Sequence, residues 1–165
     1  MAYLAKSDYT LSIAIDHLDE ILEQAALDSG LTPDNVLANA EAWAKALIKS
    51  YLVGKYDINT EFAKNSPDPG RNILVMQVMI DLSLCQIHKT INPRDIPELR
   101  EKACDAAMQW LKDARDGVVI VDLPPAPVDP GQQIYNTTYL NSNKKFVSKP
   151  FSNASLFDGK CDGQE

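Results

Sequence analysis

A chain of 165 residues, 45% hydrophobic and 7% aromatic, is long enough for one real core, and its 23 Asp and Glu outnumber 16 Lys and Arg to leave a net charge of −7. That acidity argues against tight wrapping of DNA, which is driven by cationic side chains releasing counterions. No run approaches the roughly 20 apolar residues of a membrane span; the richest, Ile73 to Leu84, is interrupted by Gln77 and Asp81.

The opening, Met1-Ala-Tyr-Leu-Ala-Lys-Ser-Asp, lacks a basic region followed by an apolar stretch and a cleavage site, so it does not read as a secretory signal. Ser7 or Asp8 is the capping candidate for a first helix through Leu11, Ile15, Leu18, Ile21 and Leu22, with a possible break near Asp16 and a stop at Gly30. Thr32 caps a second helix with Pro33 at its first position, where a missing N–H costs nothing. Val36, Leu37, Ala40, Trp43, Ala44, Leu47, Ile48 and Tyr51 form its apolar stripe, and Gly54 closes it.

Asp57 to Gly70 reads as a loop with Pro67-Asp-Pro-Gly70 as its turn signal. From Ile73 to Ile87 the apolar residues fall on nearly every side, which predicts a central helix surrounded by other helices or other subunits. Pro93 and Pro97 bracket a linker. A fourth helix is predicted from about Asp95 to Asp116, with Leu99, Ala103, Ala106, Ala107, Trp110, Leu111 and Ala114 inward and Gly117 as its stop. Val118, Val119, Ile120 and Val121 are four branched residues in a row and predict a short strand whose partner is not visible in this chain.

From Pro124 onward the chain is Pro, Gly, Asn, Ser and Lys with isolated rings at Tyr135, Tyr139, Phe146, Phe151 and Phe157. No period persists and the apolar residues are too sparse for a core, so this part reads either as a disordered end or as an arm that orders on a neighbour. The body up to Leu123 holds 12 Lys and Arg against 19 Asp and Glu and carries the whole net charge; the tail has four of each sign. The predicted organisation is a helical domain over residues 1–123 and an extended arm over 124–165.

Few residues suggest chemistry. Cys85 and His88 lie three apart on the apolar helix, but a metal needs two more ligands and the only other histidine is His17. A core cysteine beside a helix-end histidine is the structural alternative, and a thiol buried in an apolar helix is a poor nucleophile. Cys85, Cys104 and Cys161 are odd in number and unrelated in spacing, which speaks against a disulfide framework and fits a reducing compartment. Asp16, Asp19, Glu20 and Glu23 share a helix face that reads as a solvated surface ahead of a divalent-metal site. Lys144, Lys145 and Lys149, interleaved with Phe146 and Phe151, offer charge and stacking to nucleic acid or simply keep the arm soluble. There is no phosphate-cradling glycine motif. The expectation is no enzyme activity, no cofactor, no metal and no catalytic residue.

The order of elements resembles the phage Mu-type neck proteins, a family of small head–tail connector or head-completion proteins. The resembling words are Met1-Ala-Tyr-Leu4, Ser50-Tyr51-Leu52-Val53-Gly54-Lys55-Tyr56, the proline-bearing loop, the apolar third helix, and Ala107-Met-Gln-Trp110-Leu111 leading to Asp116-Gly117, over about residues 1 to 122. The resemblance implies an all-α fold, a four-helix bundle-like core with a short β-segment and an extended C-terminal arm. It also implies a homo-oligomeric, twelve-fold ring beneath the portal protein of a tailed bacteriophage, at the virion neck and assembled in the host bacterial cytoplasm. Such a ring extends the DNA channel without binding DNA specifically, bears no membrane contact, and offers a platform to the next neck or tail-completion protein. Val118 to Val121 and the five arm aromatics are the expected assembly contacts. The competing expectation is a cytosolic adaptor or regulatory module whose arm is a peptide ligand.

Overall fold

Thr32 accepts a hydrogen bond from the Asn35 N–H at 3.3 Å and Pro33 follows it, so the longest helix starts where its capping residues place it. The computed structural model describes residues 2–91 and 96–127. Its helices are α1 (Ile15–Ser29), α2 (Pro33–Leu52), α3 (Ile58–Ala63), α4 (Ile73–Ile91) and α5 (Glu98–Asp116), preceded by a 3-10 turn over Lys6–Leu11. The fold is all-α: the described residues contain no strand, only one isolated bridge between Tyr56 and Pro125. None of the described helices is long and apolar enough to cross a membrane.

α4 is the axis of the body. It packs on α1, α2 and α5, and its Val75, Met79, Ile80, Leu82, Leu84 and Ile87 are almost wholly buried. An apolar residue on each side is what a helix with three neighbours needs, since each fully buried aliphatic side chain contributes about 1.5–3 kcal/mol. α1 and α2 pack on each other as well as on α4, and α2 also meets α5. Asn72 starts α4 by accepting from the N–H groups of Leu74 and Val75 at 3.0 and 3.1 Å.

Four local expectations change. The first helix is two pieces: the 3-10 turn ends at Leu11, which is exposed, and α1 begins afresh at Ile15. The Asp57–Gly70 loop contains α3, started by Asp57, whose carboxylate accepts from the Thr60 N–H at 3.1 Å and its hydroxyl at 2.6 Å. Along α5, Leu99 is 82% exposed and Ala106 is exposed, because Cys104, Ala107, Leu111 and Ala114 already fill the arc facing the neighbouring helices. Cys85 and Cys104, expected to be unlinked, form a disulfide between α4 and α5 with Cα atoms 6.0 Å apart.

The compact unit that contains these helices runs Met1–Pro127, a few residues beyond the expected boundary at Leu123. Main-chain bonds explain the difference. Asp57 N–H donates to Pro124 O at 2.8 Å and Ala126 N–H to Lys55 O at 3.0 Å, which fastens 124–126 alongside 55–57.

Candidate assembly surface

The expected contact residues Val118–Val121 follow the end of α5. Gly117 stops the helix in the left-handed region at φ 82°. The N–H groups of Val118 and Val119 then both donate to Asp113 O, at 2.9 and 3.2 Å, closing the last turn. A glycine is favoured here chiefly by its backbone conformation. Its φ disfavours any β-carbon, and a β-carbon added at Gly117 meets Lys55 Nζ at 2.7 Å. Lys55 occupies that place because its ammonium donates to Ala114 O at 3.3 Å, a carbonyl at the helix end that also accepts the Gly117 N–H.

Residues 118–121 are bends and irregular backbone, a correction to the expected strand. Four branched residues favour extended backbone but do not supply a ladder. The lateral pairing occurs four residues after Val121, at Pro125, and its partner Tyr56 is in the same chain. The segment has two sides nonetheless. Val121 is 3% exposed and its N–H donates to Tyr56 Oη at 3.3 Å, whereas Val118 is 76% and Ile120 88% exposed; Val119 is intermediate. Two of the four therefore present branched apolar side chains outward. Tyr135, Tyr139, Phe146, Phe151 and Phe157 lie outside the described residues.

Beneath the next stretch sits a polar knot that sequence reasoning missed. Glu61, 2% exposed, accepts at one oxygen from Tyr3 Oη (2.7 Å) and Asn72 N–H (2.6 Å), and at the other from Lys64 Nζ (2.6 Å). Burial pushes its carboxyl up, but the bonds from Lys64, Asn72 and Tyr3 outweigh this and hold it below the usual range. Arg71 completes the knot by donating to Asp8 Oδ2 and Tyr3 O, each at 2.7 Å. Asp8 is likewise held low: burial raises it, and the bonds from Arg71 and the Ala5 N–H lower it further. A cavity of about 260 Å³ lined by Glu61, Lys64, Arg71, Asn72, Asp122 and Leu123 opens beside it. Asn72 Nδ2 donates to Asp122 O at 2.9 Å, so the knot also holds the chain leaving α5. The readable signal was Asp57 as a helix cap ahead of Ile58 and Phe62.

The other flagged residues occupy structural settings. Cys85 is consumed by its disulfide. His88, half-buried in the last turn of α4, has its pKa lowered by burial and then by the charges of Arg100 and His17. Among the described residues no three His, Cys, Asp or Glu side chains are grouped to hold a metal ion. On α1, Asp19 pairs with Lys6 and Glu20 with His17, while Asp16 and Glu23 face solvent. Compared with family models, characterised proteins and solved structures, the chain matches none.

Proposed function

We propose that this chain is a structural head–tail connector of a tailed bacteriophage, forming a ring beneath the portal that extends the DNA channel and receives the next neck protein. The observation that carries the reading is the exposure of Val118 and Ile120 on a body whose chain continues into a segment of five aromatic residues. Apolar groups turned outward, as Leu27, Ile73 and Leu99 also are, are most useful when another surface covers them. Sparse rings in a Pro- and Gly-rich segment have the same need.

The element order, three long helices around α4 with a short pairing at Tyr56 and Pro125, supports a four-helix bundle-like wedge. A wedge held by a polar knot and a disulfide suits a ring subunit, because weak contacts repeated around a closed ring add through avidity. An acidic body suits a channel wall, since a strongly cationic one would retain the genome electrostatically. In this reading the arm over 128–165 docks on portal or neck neighbours, the ring is twelve-fold, and the location is the virion neck. The chain acts mechanically, without catalysis or cofactor.

The test is reconstitution. Full-length chain added to portal-bearing heads that lack their connector should restore tail attachment and appear as a ring below the portal by electron microscopy. A chain that neither binds such heads nor restores joining, but is retained by a cytosolic partner through its arm, would replace this reading with the adaptor alternative.

A further inference from the structure

Two lysines of α2 are held together without a salt bridge among the described residues. Lys45 and Lys49, one turn apart, both lie over the ring of Phe62, with Nζ at 5.0 and 6.0 Å from its centroid. Among the described residues neither ammonium forms a salt bridge, and Lys45 makes only a long bond of 3.5 Å to Phe62 O. Glu41, one turn back, has an oxygen engaged by Tyr9 Oη at 2.9 Å. Burial and then the charge of Lys49 disfavour the protonated Lys45, with only Glu41 offsetting them. Two like charges over one ring, on a body that is otherwise acidic, leave room for an anion from outside.

The matching surface is on α1. Asp16, Glu20 and Glu23 recur at helical spacing and are exposed, and the partner Glu20 shows is an exposed His17 at 3.2 Å. The two surfaces sit toward opposite ends of α4. Phe62 follows Glu61, which bonds the N–H of Asn72 just before α4 begins. α1 instead runs from the middle of α4, where Ser12 also accepts from Gln77, toward its far end. Ser12, ahead of α1, bonds Asp81, and Ser29 and Leu31, at its end, line a cavity with Gln86 and Thr90. A rigid body with a cationic spot at one end and an acidic stripe at the other is complementary to its own copy in a head-to-tail sense. Such a contact generates a ring if the rotation closes.

We propose that a second copy of this chain docks its Asp16, Glu20 and Glu23 stripe on the Lys45–Lys49 pair. The inference names the self-contact of the proposed ring and rests on that reading only for the presence of a second copy. Zero-length carbodiimide coupling on a mixture of isotopically light and heavy full-length chains should join Lys45 or Lys49 of one copy to Asp16, Glu20 or Glu23 of another. Association measured by sedimentation should weaken on going to about 0.5 M salt. Lys45→Glu with Lys49→Glu should weaken association by about tenfold or more, as should Asp16→Lys with Glu20→Lys and Glu23→Lys. Mixing the two reversed chains should restore it. Circular dichroism shows that each variant is folded before it is scored.

Several results overturn the assignment. Association unchanged in both reversed chains places the self-contact elsewhere and leaves the connector reading intact. A wild-type chain that gives no light–heavy cross-link and no association at low salt removes the contact altogether. Duplex DNA retained by the wild type and released by the lysine variant, without cross-links between copies, assigns the pair to a phosphate backbone. Failure of the connector reading is detected separately, by heads that do not accept the chain.

Discussion

Tyr3 donates its hydroxyl to Glu61 at 2.7 Å, joining the start of the chain to α3 across 58 residues of sequence. The bond is buried, and the same carboxylate oxygen accepts the Asn72 N–H that precedes α4. Through one side chain the N-terminal segment, α3 and the start of α4 are held in register. Glu61→Ala leaves the Lys64 ammonium, the Tyr3 hydroxyl and the Asn72 N–H without their acceptor, and should cost about 3 kcal/mol or more in urea unfolding. Tyr3→Phe removes one donor and should cost about 1–2 kcal/mol. Equal, small losses from both would show that the knot is not holding these segments.

The same carboxylates set an acid limit. Asp8 and Glu61 are both held below their ordinary values in the folded chain, so the unfolded chain binds protons first as pH falls. Their stabilisation is full above the unfolded carboxylate value of about 4 and is lost as pH drops through the folded values. Glu41 has the opposite sign. Burial raises its carboxyl, so its charged form disfavours the fold once pH rises past its unfolded value. Glu41→Gln, which keeps an acceptor for Tyr9, should therefore raise the thermal midpoint at pH 7 and have less effect near pH 4. A lower midpoint at pH 7 would contradict this sign.

Gly117 and Gly30 both adopt positive φ, at 82° and 70°, but only Gly117 is approached by another side chain, Lys55 Nζ at 2.7 Å. Gly30→Ala should cost about 1 kcal/mol, the usual penalty for a β-carbon in the left-handed region. Gly117→Ala should cost more, because Lys55 must give up its bond to Ala114 O. Combining it with Lys55→Ala should close most of the gap, a coupling that a double-mutant cycle reads directly.

The disulfide between Cys85 and Cys104 closes a loop with a sequence separation of 19. Chain-entropy reasoning for a loop of that size gives about 3 kcal/mol. Adding reductant, or replacing both cysteines by alanine, should lower the guanidinium midpoint by a corresponding amount while leaving the helical circular dichroism in place. Free-thiol titration of the unreduced chain should find Cys161 reactive and the other two unreactive; three reactive thiols would remove the crosslink.

Much of this architecture is legible before any coordinates. Thr32-Pro33 starts α2, Gly30 and Gly117 end α1 and α5, and the run from Ile73 to Ile87 is apolar on many sides and long enough to favour a central helix over the competing strand. Each of those signals is local. The features that escaped depend on partners distant in sequence. Cys85 meets Cys104 only because α4 and α5 pack together, and Glu61 is a knot only because Tyr3, Lys64 and Asn72 converge on it. Leu99 reads as inward from periodicity, yet α5 has more apolar arc than its neighbours cover. Val118–Val121 has strand composition without a strand's lateral partner, so side-chain preference alone misleads there. The candidate site was visible as composition, while its two-sidedness, Val121 in and Val118 and Ile120 out, required the fold.

That two-sidedness separates stability from assembly. Val118→Asp and Ile120→Asp change exposed side chains and should alter folding stability by no more than about 0.5 kcal/mol. Val121→Asp buries an unpaired carboxylate and should cost several times that. In the connector account the first two substitutions nevertheless reduce attachment to portal-bearing heads, measured by co-sedimentation.

The most direct measurement of the central claim is head–tail joining by a chain shortened to residues 1–127. The account predicts a folded, helical body that fails to join portal-bearing heads to tails, because residues 128–165 carry the aromatic anchors Tyr135, Tyr139, Phe146, Phe151 and Phe157. Replacing Tyr135, Tyr139, Phe146 and Phe151 together by alanine in the full chain should reproduce the loss, since aromatic anchors dominate interfaces. A shortened chain that joins heads to tails in normal yield would contradict the claim and assign docking to the helical body alone.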